Sequence, residues 1–140
     1  MTFVDTNVLV YSTAVGAPFR DRARRALARI GSQERLSVSR QVLREYLAVM
    51  TRPQVWGTAL SLALAAADVA DFTQRFVLLE DSAAVWDEFL GLATRFAFSG
   101  RQVHDANIVA TMLAYGERRL LTFNEADFRR FASVIEIVSP

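Results

Sequence analysis

Short apolar runs alternate along the chain with longer segments in which apolar residues recur at helical spacing. The short runs predict five strands, at 3–4, 36–38, 76–79, 120–122 and 134–138. The helical patterns lie at 20–30, 40–50, 59–72, 82–96, 104–115 and 125–130. Strands regularly followed by helices are typical of βαβ units, which form a parallel sheet covered by helices on both faces. We therefore predict an α/β fold whose ligand site lies beyond the carboxyl ends of the strands.

The length and composition favour one folded domain over residues 1–140. A chain of 140 residues usually forms one domain, and 52% hydrophobic residues are enough for a core. The longest weakly polar run, at 58–67, is too short to span a bilayer. The first residues, MTFVDTN, lack the basic and apolar regions of an export signal. We therefore expect a cytoplasmic globular domain that does not enter a membrane.

Missing residue types exclude several chemistries. The chain has no Cys, which removes disulfides, thiolate nucleophiles and zinc sites built on Cys. All 16 basic residues are Arg, so the Lys of a P-loop or of a Schiff-base enzyme is absent. One His and no GxSxG motif make a serine-hydrolase triad a poor expectation. Carboxylates, Arg, hydroxyl groups and a metal ion remain as agents of catalysis.

Positive charge is concentrated in one predicted helix although the whole chain carries only +1. The helix at 20–30 contains Arg20, Arg22, Arg24, Arg25 and Arg29. This helix either contacts phosphate groups or presents an ordinary solvated face. The small net charge favours the solvated face.

Three acidic residues lie at positions where the sequence allows either a functional or a structural role. Asp5 directly follows the first strand, where it is either a site residue or the N-cap of a helix. Asp105 lies on the apolar arc of its helix, where an ionised carboxylate needs a cap, a partner or a cation. Glu45 borders the apolar face of its helix and is either functional or paired with a neighbouring Arg.

A further polar group follows the strand at 120–122. Asn124 is a candidate N-cap, and Glu125 and Asp127 suit the first turn of the helix after it. Taken together, the acids would converge at one edge of a parallel sheet. Clustered carboxylates repel one another, and a hard divalent cation such as Mg²⁺ or Mn²⁺ relieves that repulsion. The pattern therefore points to phosphoryl-transfer chemistry.

Four stretches of the chain carry a family resemblance. They are FVDTNVLVY at 3–11, VLREYLAVMTRP at 42–53, HDANIVATM at 104–112 and LLTFNEADFRRF at 120–131. In order and spacing the sequence resembles the PIN-domain ribonucleases, and within them the VapC toxins of toxin–antitoxin pairs. The resemblance implies a three-layer α/β/α fold with a central parallel sheet of four or five strands. It also implies an acidic pocket that binds Mg²⁺ or Mn²⁺ and hydrolyses RNA.

The resemblance also assigns residues. The catalytic set matched by position is Asp5, Glu45, Asp105, Asn124 and Asp127. Asp5, Glu45 and Asp105 match the three core acids and are the expected metal ligands, and Thr6 and Asn7 match the polar pair that supports the first. Asn124 stands at a fourth position where many members have Asp, which leaves one or two metal ions open. Because the chain has no Lys, additional positive charge must come from Arg, with Arg40 and Arg44 as candidates.

VapC-like proteins are usually homodimers that a small antitoxin neutralises, so the resemblance implies both partners. The helix at 59–72, Trp56 and Trp86 either form such surfaces or belong to the core. Two other functions stay open. One is a catalytically weak PIN domain that binds RNA or protein as a scaffold. The other is a carboxylate–Mg²⁺ phosphatase, which the missing Lys and the missing second Asp of a DxD motif disfavour.

Overall fold

Five parallel strands form one sheet in the order β3-β2-β1-β4-β5 in a computed structural model that describes all 140 residues. The strands are β1 (Thr2–Val4), β2 (Leu36–Ser39), β3 (Val77–Leu79), β4 (Arg119–Leu121) and β5 (Glu136–Val138). The chain moves outward from β1 to β3 and then returns to place β4 on the other side of β1. The topological switch point, where ligand sites form in such sheets, therefore lies between β1 and β4.

Helices cover both faces of the sheet in a three-layer α/β/α arrangement, which confirms the predicted fold class. They are α1 (Thr6–Thr13), α2 (Arg20–Gly31), α3 (Arg40–Met50), α4 (Leu62–Arg75), α5 (Ala83–Arg95), α6 (Gln102–Ala114) and α7 (Glu125–Phe128), followed by a 3₁₀ turn (Arg129–Phe131). Helix α1 contacts α2 and α3, α3 contacts α4, and α5 packs against α6. None of the helices is long and apolar enough to cross a membrane.

The central strands are buried on both faces, which explains why they read as apolar runs without alternation. Every residue of β1 and β2 is buried. Phe3, Val4, Val38 and Leu120 have no exposed surface. A polar residue that directly follows one of these strands therefore lies beside the core and at the edge where a ligand site is expected.

The sequence pattern missed one helix and misplaced the start of another. It predicts no helix at 6–13, where the structure places α1, because the apolar run at 8–10 gives no helical period. Helix α4 begins at Leu62, not at 59, because the Ser61 Oγ accepts the N–H of Leu64 at 3.2 Å and caps the helix there. Helix α6 begins at Gln102, two residues before the predicted start.

The end of β1 is fixed against β4 by one additional hydrogen bond. The N–H of Asp5 donates to the carbonyl of Leu121 at 3.0 Å, one residue beyond the register that ends with Val4 opposite Leu121. This bond holds the residue after β1 next to the residue after β4. The segments that follow the two strands are thus brought together by the sheet itself.

Glu117 is a buried acid located just before β4, at the opposite edge of the sheet. Its side chain is 4% exposed, and the Ser37 Oγ donates to its Oε2 at 2.6 Å. Its Oε1 is buried without a hydrogen-bond partner. Burial raises the pKa of Glu117, and the hydrogen bond from Ser37 only partly opposes that rise.

Replacing Glu117 with Gln should stabilise the protein at high pH and not at low pH. The folded chain holds the Glu117 proton more tightly than the unfolded chain, so the stability it contributes is present below about pH 4 and is lost as pH rises through the folded pKa. Urea unfolding should show Glu117→Gln more stable than the parent by about 1–3 kcal/mol at about pH 8, with little difference at about pH 4.

The exposed acid Glu88 on α5 supplies the matched control, since Glu88→Gln should change stability little at either pH. An equal gain for Glu117→Gln at both pH values would show that the charge of Glu117 is not what limits stability.

Candidate active site

Asp5 is the most constrained acid at the carboxyl edge of the sheet. It is 6% exposed and is the N-cap of α1, with its Oδ1 accepting the N–H of Thr6 at 2.7 Å. Its Oδ2 accepts two further hydrogen bonds, from Asn7 Nδ2 at 2.7 Å and from Thr122 Oγ1 at 2.6 Å. Asp5 is therefore an N-cap, as the structural alternative expected. The capping bond and the bonds from Asn7 and Thr122 together fix both of its carboxylate oxygens at the switch point.

Thr122 and Asn7 tie the segment after β4 to the segment after β1. The Thr122 hydroxyl donates to Asp5 and accepts the N–H of Asn124 at 2.9 Å. The side-chain Oδ1 of Asn7 accepts the N–H of Phe123 at 3.0 Å. The sequence pattern places Thr122 inside the predicted strand at 120–122 and gives it no role, because its hydrogen bond to Asp5 joins residues far apart in the chain.

Glu45 enters the same edge from α3. Its Oε2 accepts the Thr6 hydroxyl at 2.9 Å, and its Oε1 accepts Gln41 Nε2 at 2.8 Å. Gln41 also donates to the His104 carbonyl at 2.9 Å and accepts from Asn107 Nδ2 at 2.7 Å, which joins α3 to the start of α6. The alternative of an ion pair between Glu45 and a neighbouring Arg is therefore wrong. Gln41, one helical turn before Glu45, is a further residue that the sequence pattern missed.

Asp105 lies in the first turn of α6 and is only partly buried. The N-cap of this helix is Arg101, so the capping alternative for Asp105 is wrong. No hydrogen bond to its carboxylate contributes to its pKa. His104 beside it is exposed and contributes only its backbone carbonyl to the site.

The acids act on one another electrostatically. The pKa of Asp105 is raised to about 6, first by burial and then by the negative charges of Asp127, Asp5 and Glu45, with Arg130 opposing the rise. The pKa of Asp5 also rises to about 6, chiefly through burial and in part through the charge of Glu45, despite its hydrogen bonds. The edge therefore holds carboxylates whose ionisation is disfavoured by burial and by mutual repulsion.

Asn124 and Asp127 form the exposed rim of this edge. Asn124 occupies the N-cap position of α7, but its side chain makes no capping hydrogen bond. Its backbone N–H donates to the Thr122 Oγ1, and its backbone carbonyl accepts the N–H of Asp127 at 3.1 Å. The amide of Asn124 and the carboxylate of Asp127 are therefore free to meet a ligand. Asp127 already acts on Asp105 through its charge.

The carboxylate oxygens at this edge are of the type that binds a hard divalent cation, but the distances between the side chains are too long for three of them to contact one ion. No three acidic or His side chains lie close enough together to hold a single ion. Asp5, Glu45 and Asp105 supply carboxylate oxygens, the ligands that Mg²⁺ and Mn²⁺ prefer, and none of them forms an ion pair with Arg. Arg40, expected near the site, is instead paired with Glu80.

A cleft of about 1150 Å³ lies elsewhere, between α2 and α4, with Arg20, Asp68 and Phe72 among its lining residues. None of the acids of the sheet edge lines it. The size of a cavity is therefore a poor guide to the site in this protein, and the position of the carboxylates is the better one.

The fold and the edge together define an α/β/α domain with acidic residues at the carboxyl ends of its parallel strands. A sequence model of the PIN domain matches residues 2–134. This chain therefore belongs to the PIN-domain family. It is 27% identical over 133 residues to a Mycobacterium tuberculosis protein named Ribonuclease VapC48, covering 93% of this chain and 91% of that relative.

Two solved structures share the fold. VapC20 of Mycobacterium tuberculosis, described as a sarcin-ricin loop cleaving toxin, matches with a TM-score of 0.75 at 19% identity and covers 100% of both chains. VapBC2 of Rickettsia felis, bound to a DNA fragment from their promoter, matches with a TM-score of 0.70 at 18% identity. That match covers 99% of this chain and 97% of the other. At these identities the likeness extends to the fold.

Replacing Asp105 with Asn should stabilise the protein above pH 6. The stability contributed by Asp105 is fully present below its unfolded pKa of about 4 and is lost as pH rises through the folded pKa of about 6. After allowance for solvent screening, the gain at about pH 8 should be about 1 kcal/mol, or about 3 °C in Tm.

Thermal melting at about pH 4 and about pH 8 measures this difference. Asp87→Asn, which neutralises an exposed acid on α5, should leave Tm unchanged at both pH values. If Asp105→Asn melted below the parent at high pH, the repulsion inferred among the acids would be wrong.

Proposed function

We propose that this protein is a divalent-metal-dependent endoribonuclease and acts as the toxin of a VapBC-type pair. One observation carries the proposal. Asp5 is buried at the switch point of the sheet, with the charges of Glu45 and Asp105 close by and no ion pair to offset any of them. Such an arrangement is costly unless a cation binds there, which is the condition that a metal-dependent nuclease meets.

In this proposal Asp5, Glu45 and Asp105 hold Mg²⁺ or Mn²⁺. When bound, the ion would lower the pKa of a water molecule beside the phosphodiester and offset charge that develops on the phosphate oxygens. Water adds to phosphorus and the bond to the leaving ribose oxygen breaks, which gives one phosphate end and one hydroxyl end. The side chains of Asn124 and Asp127 orient the attacking water or take part in a second ion site.

The surrounding residues position this set. Asn7 and Thr122 hold the Oδ2 of Asp5, and Gln41 holds the Oε1 of Glu45. Partners of this kind fix the orientation of metal ligands and raise their affinity for the ion. Arg130, whose charge opposes the rise in the pKa of Asp105, is the arginine that acts on the site.

The comparisons support RNA as the substrate and an antitoxin as the partner. The relative from Mycobacterium tuberculosis is named a ribonuclease, VapC20 is described as cleaving the sarcin-ricin loop, and VapBC2 is a two-component assembly. We assign this protein the same class of substrate and the same kind of partner, acting in the cytoplasm.

Two exposed apolar surfaces are available for the antitoxin and for a homodimer. Leu62 and Leu64 are exposed on α4, and Trp86 and Leu90 are exposed one helical turn apart on α5. Trp56, in contrast, packs edge-on against Tyr11 and belongs to an aromatic cluster within the chain.

The spacing of the acids favours one alternative, a PIN domain that binds RNA or protein without cleaving it. No three acids are gathered within reach of one ion, and the fourth family position carries the neutral side chain of Asn124. Such a scaffold would bind RNA with an affinity that does not depend on divalent metal. Cleavage assays separate the two functions.

The cleavage experiment uses purified protein, a pool of structured RNAs, and Mn²⁺ or Mg²⁺. We expect cleavage that EDTA abolishes and that Asp5→Asn reduces below detection, since the variant loses the charge at the centre of the site. The variant should keep the far-UV circular dichroism spectrum of the parent. Asp87→Asn on α5 is the matched control and should cleave normally.

Normal cleavage by Asp5→Asn would refute the assignment of the site. Absence of cleavage by parent protein that binds Mn²⁺ and carries no co-purified antitoxin would favour the scaffold.

A further inference from the structure

Four aromatic side chains form a cluster beside the acidic edge, on segments that surround the start of α2. Tyr11 lies at its centre, with ring-centroid distances of 6.2 Å to Phe19, 5.7 Å to Trp56 and 5.1 Å to Phe123, all edge-on. Phe19 and Phe123 stack on each other, with centroids 5.6 Å apart and planes inclined by 22°. The stacked pair is called the Phe19–Phe123 stack below.

Phe19 occupies an unfavourable position in two respects. Its φ of 59° makes it the one non-glycine residue of the chain with a left-handed backbone, a conformation that is strained for a bulky side chain. Its side chain is also 56% exposed, so burial does not compensate for the strain. It is the N-cap residue of α2 but makes no side-chain capping bond. Its carbonyl accepts the N–H of Ala23 at 2.9 Å, and its ring packs on Tyr11 and Phe123, but these contacts leave more than half of the residue open to solvent. Strained backbone is often found at functional sites.

The stack is connected directly to the acidic edge. Phe123 follows Thr122, whose hydroxyl donates to Asp5. The N–H of Phe123 donates to the side chain of Asn7, which in turn donates to Asp5. The backbone of Phe123 is therefore connected to the central carboxylate through two hydrogen bonds. The segment that carries this ring adjoins the place where the proposed cation would hold a phosphate.

A positive charge accompanies the stack. The guanidinium carbon of Arg22 lies 5.9 Å from the ring centroid of Phe19 and 5.5 Å from that of Phe123. Its Nε donates to the oxygen of Pro140 at 2.6 Å and its Nη2 donates to the Ser139 Oγ at 3.4 Å, while its Nη1 has no hydrogen-bond partner in the chain. A guanidinium beside an exposed aromatic ring is a combination that binds single-stranded nucleic acid, through phosphate attraction and base stacking.

We propose that the Phe19–Phe123 stack receives one unpaired RNA base next to the cleaved phosphodiester, with Arg22 contacting an adjoining phosphate. This inference rests on the proposed ribonuclease function. It restricts the substrate to RNA that is single-stranded at the cut, since a base within a duplex has no free face to stack. Phe19 is thus a substrate-binding residue and takes no part in the chemical step.

The test compares two substitutions of Phe19. Phe19→Asn removes the ring and suits the left-handed backbone, so the fold should keep or raise its Tm. Phe19→Trp keeps a stacking surface. Steady-state cleavage of a short RNA that the parent cuts should show KM raised about 5- to 150-fold for Phe19→Asn, the range expected for loss of one stacked base. The kcat should change little, and Phe19→Trp should retain the parent KM.

An abasic scan of the RNA tests the parent protein without any substitution. Removing the base at one position flanking the cut should raise KM by a similar factor, and Phe19→Asn should show no additional loss on that substrate. If Phe19→Asn cleaves intact RNA with the parent KM, or if the two losses multiply in full, the stack does not bind a base and the ribonuclease function still stands.

Binding of a fluorescent RNA oligonucleotide to Asp5→Asn, measured by anisotropy, separates this inference from the proposed function. Weaker binding when Phe19→Asn is added supports the stack even if the parent cleaves no RNA. Unchanged RNA binding, together with loss of binding to a protein partner, would assign the stack to that partner and overturn the inference.

Discussion

The buried carboxylate of Asp5 is the constraint on which the acidic edge depends. It lies between β1 and β4, where the backbone hydrogen bond from Asp5 to Leu121 extends the sheet by one residue. Donors from Thr6, Asn7 and Thr122 fix both of its oxygens. These bonds determine where the carboxylate is but do not neutralise it, because burial still raises its pKa to about 6. The fold thus fixes the position of the Asp5 carboxylate but does not fully stabilise its negative charge.

The same imbalance extends to Asp105 on α6, whose pKa is raised by burial and by neighbouring negative charge. Glu45 on α3 adds its charge to this edge and accepts hydrogen bonds from Thr6 and Gln41. A sequence selected for stability alone would replace or pair such groups, since like charges in a partly buried site destabilise the fold. Their presence together at the switch point of a parallel sheet is the ground on which we propose metal-dependent chemistry.

Much of the architecture could be predicted from the sequence because buried strands and amphipathic helices have distinct periods. Helix α1 could not, since its buried apolar run at 8–10 resembles a strand as closely as a helix. Asp5 and Asp105 were recognisable because a carboxylate beside the core requires an explanation. Thr122 and Gln41 were not, because their roles depend on hydrogen bonds between residues far apart in the chain. The strain at Phe19 is likewise a property of the folded backbone.

Direct measurement of metal binding tests the central claim, that the acidic edge is completed by a divalent cation. Isothermal titration with Mn²⁺ at about pH 8, where Asp5 and Asp105 are ionised, should detect one or two ions per chain. The Asp5→Asn variant should lose that binding while it keeps its fold. Absence of Mn²⁺ binding by the parent protein, or equal binding by the variant, would contradict the account.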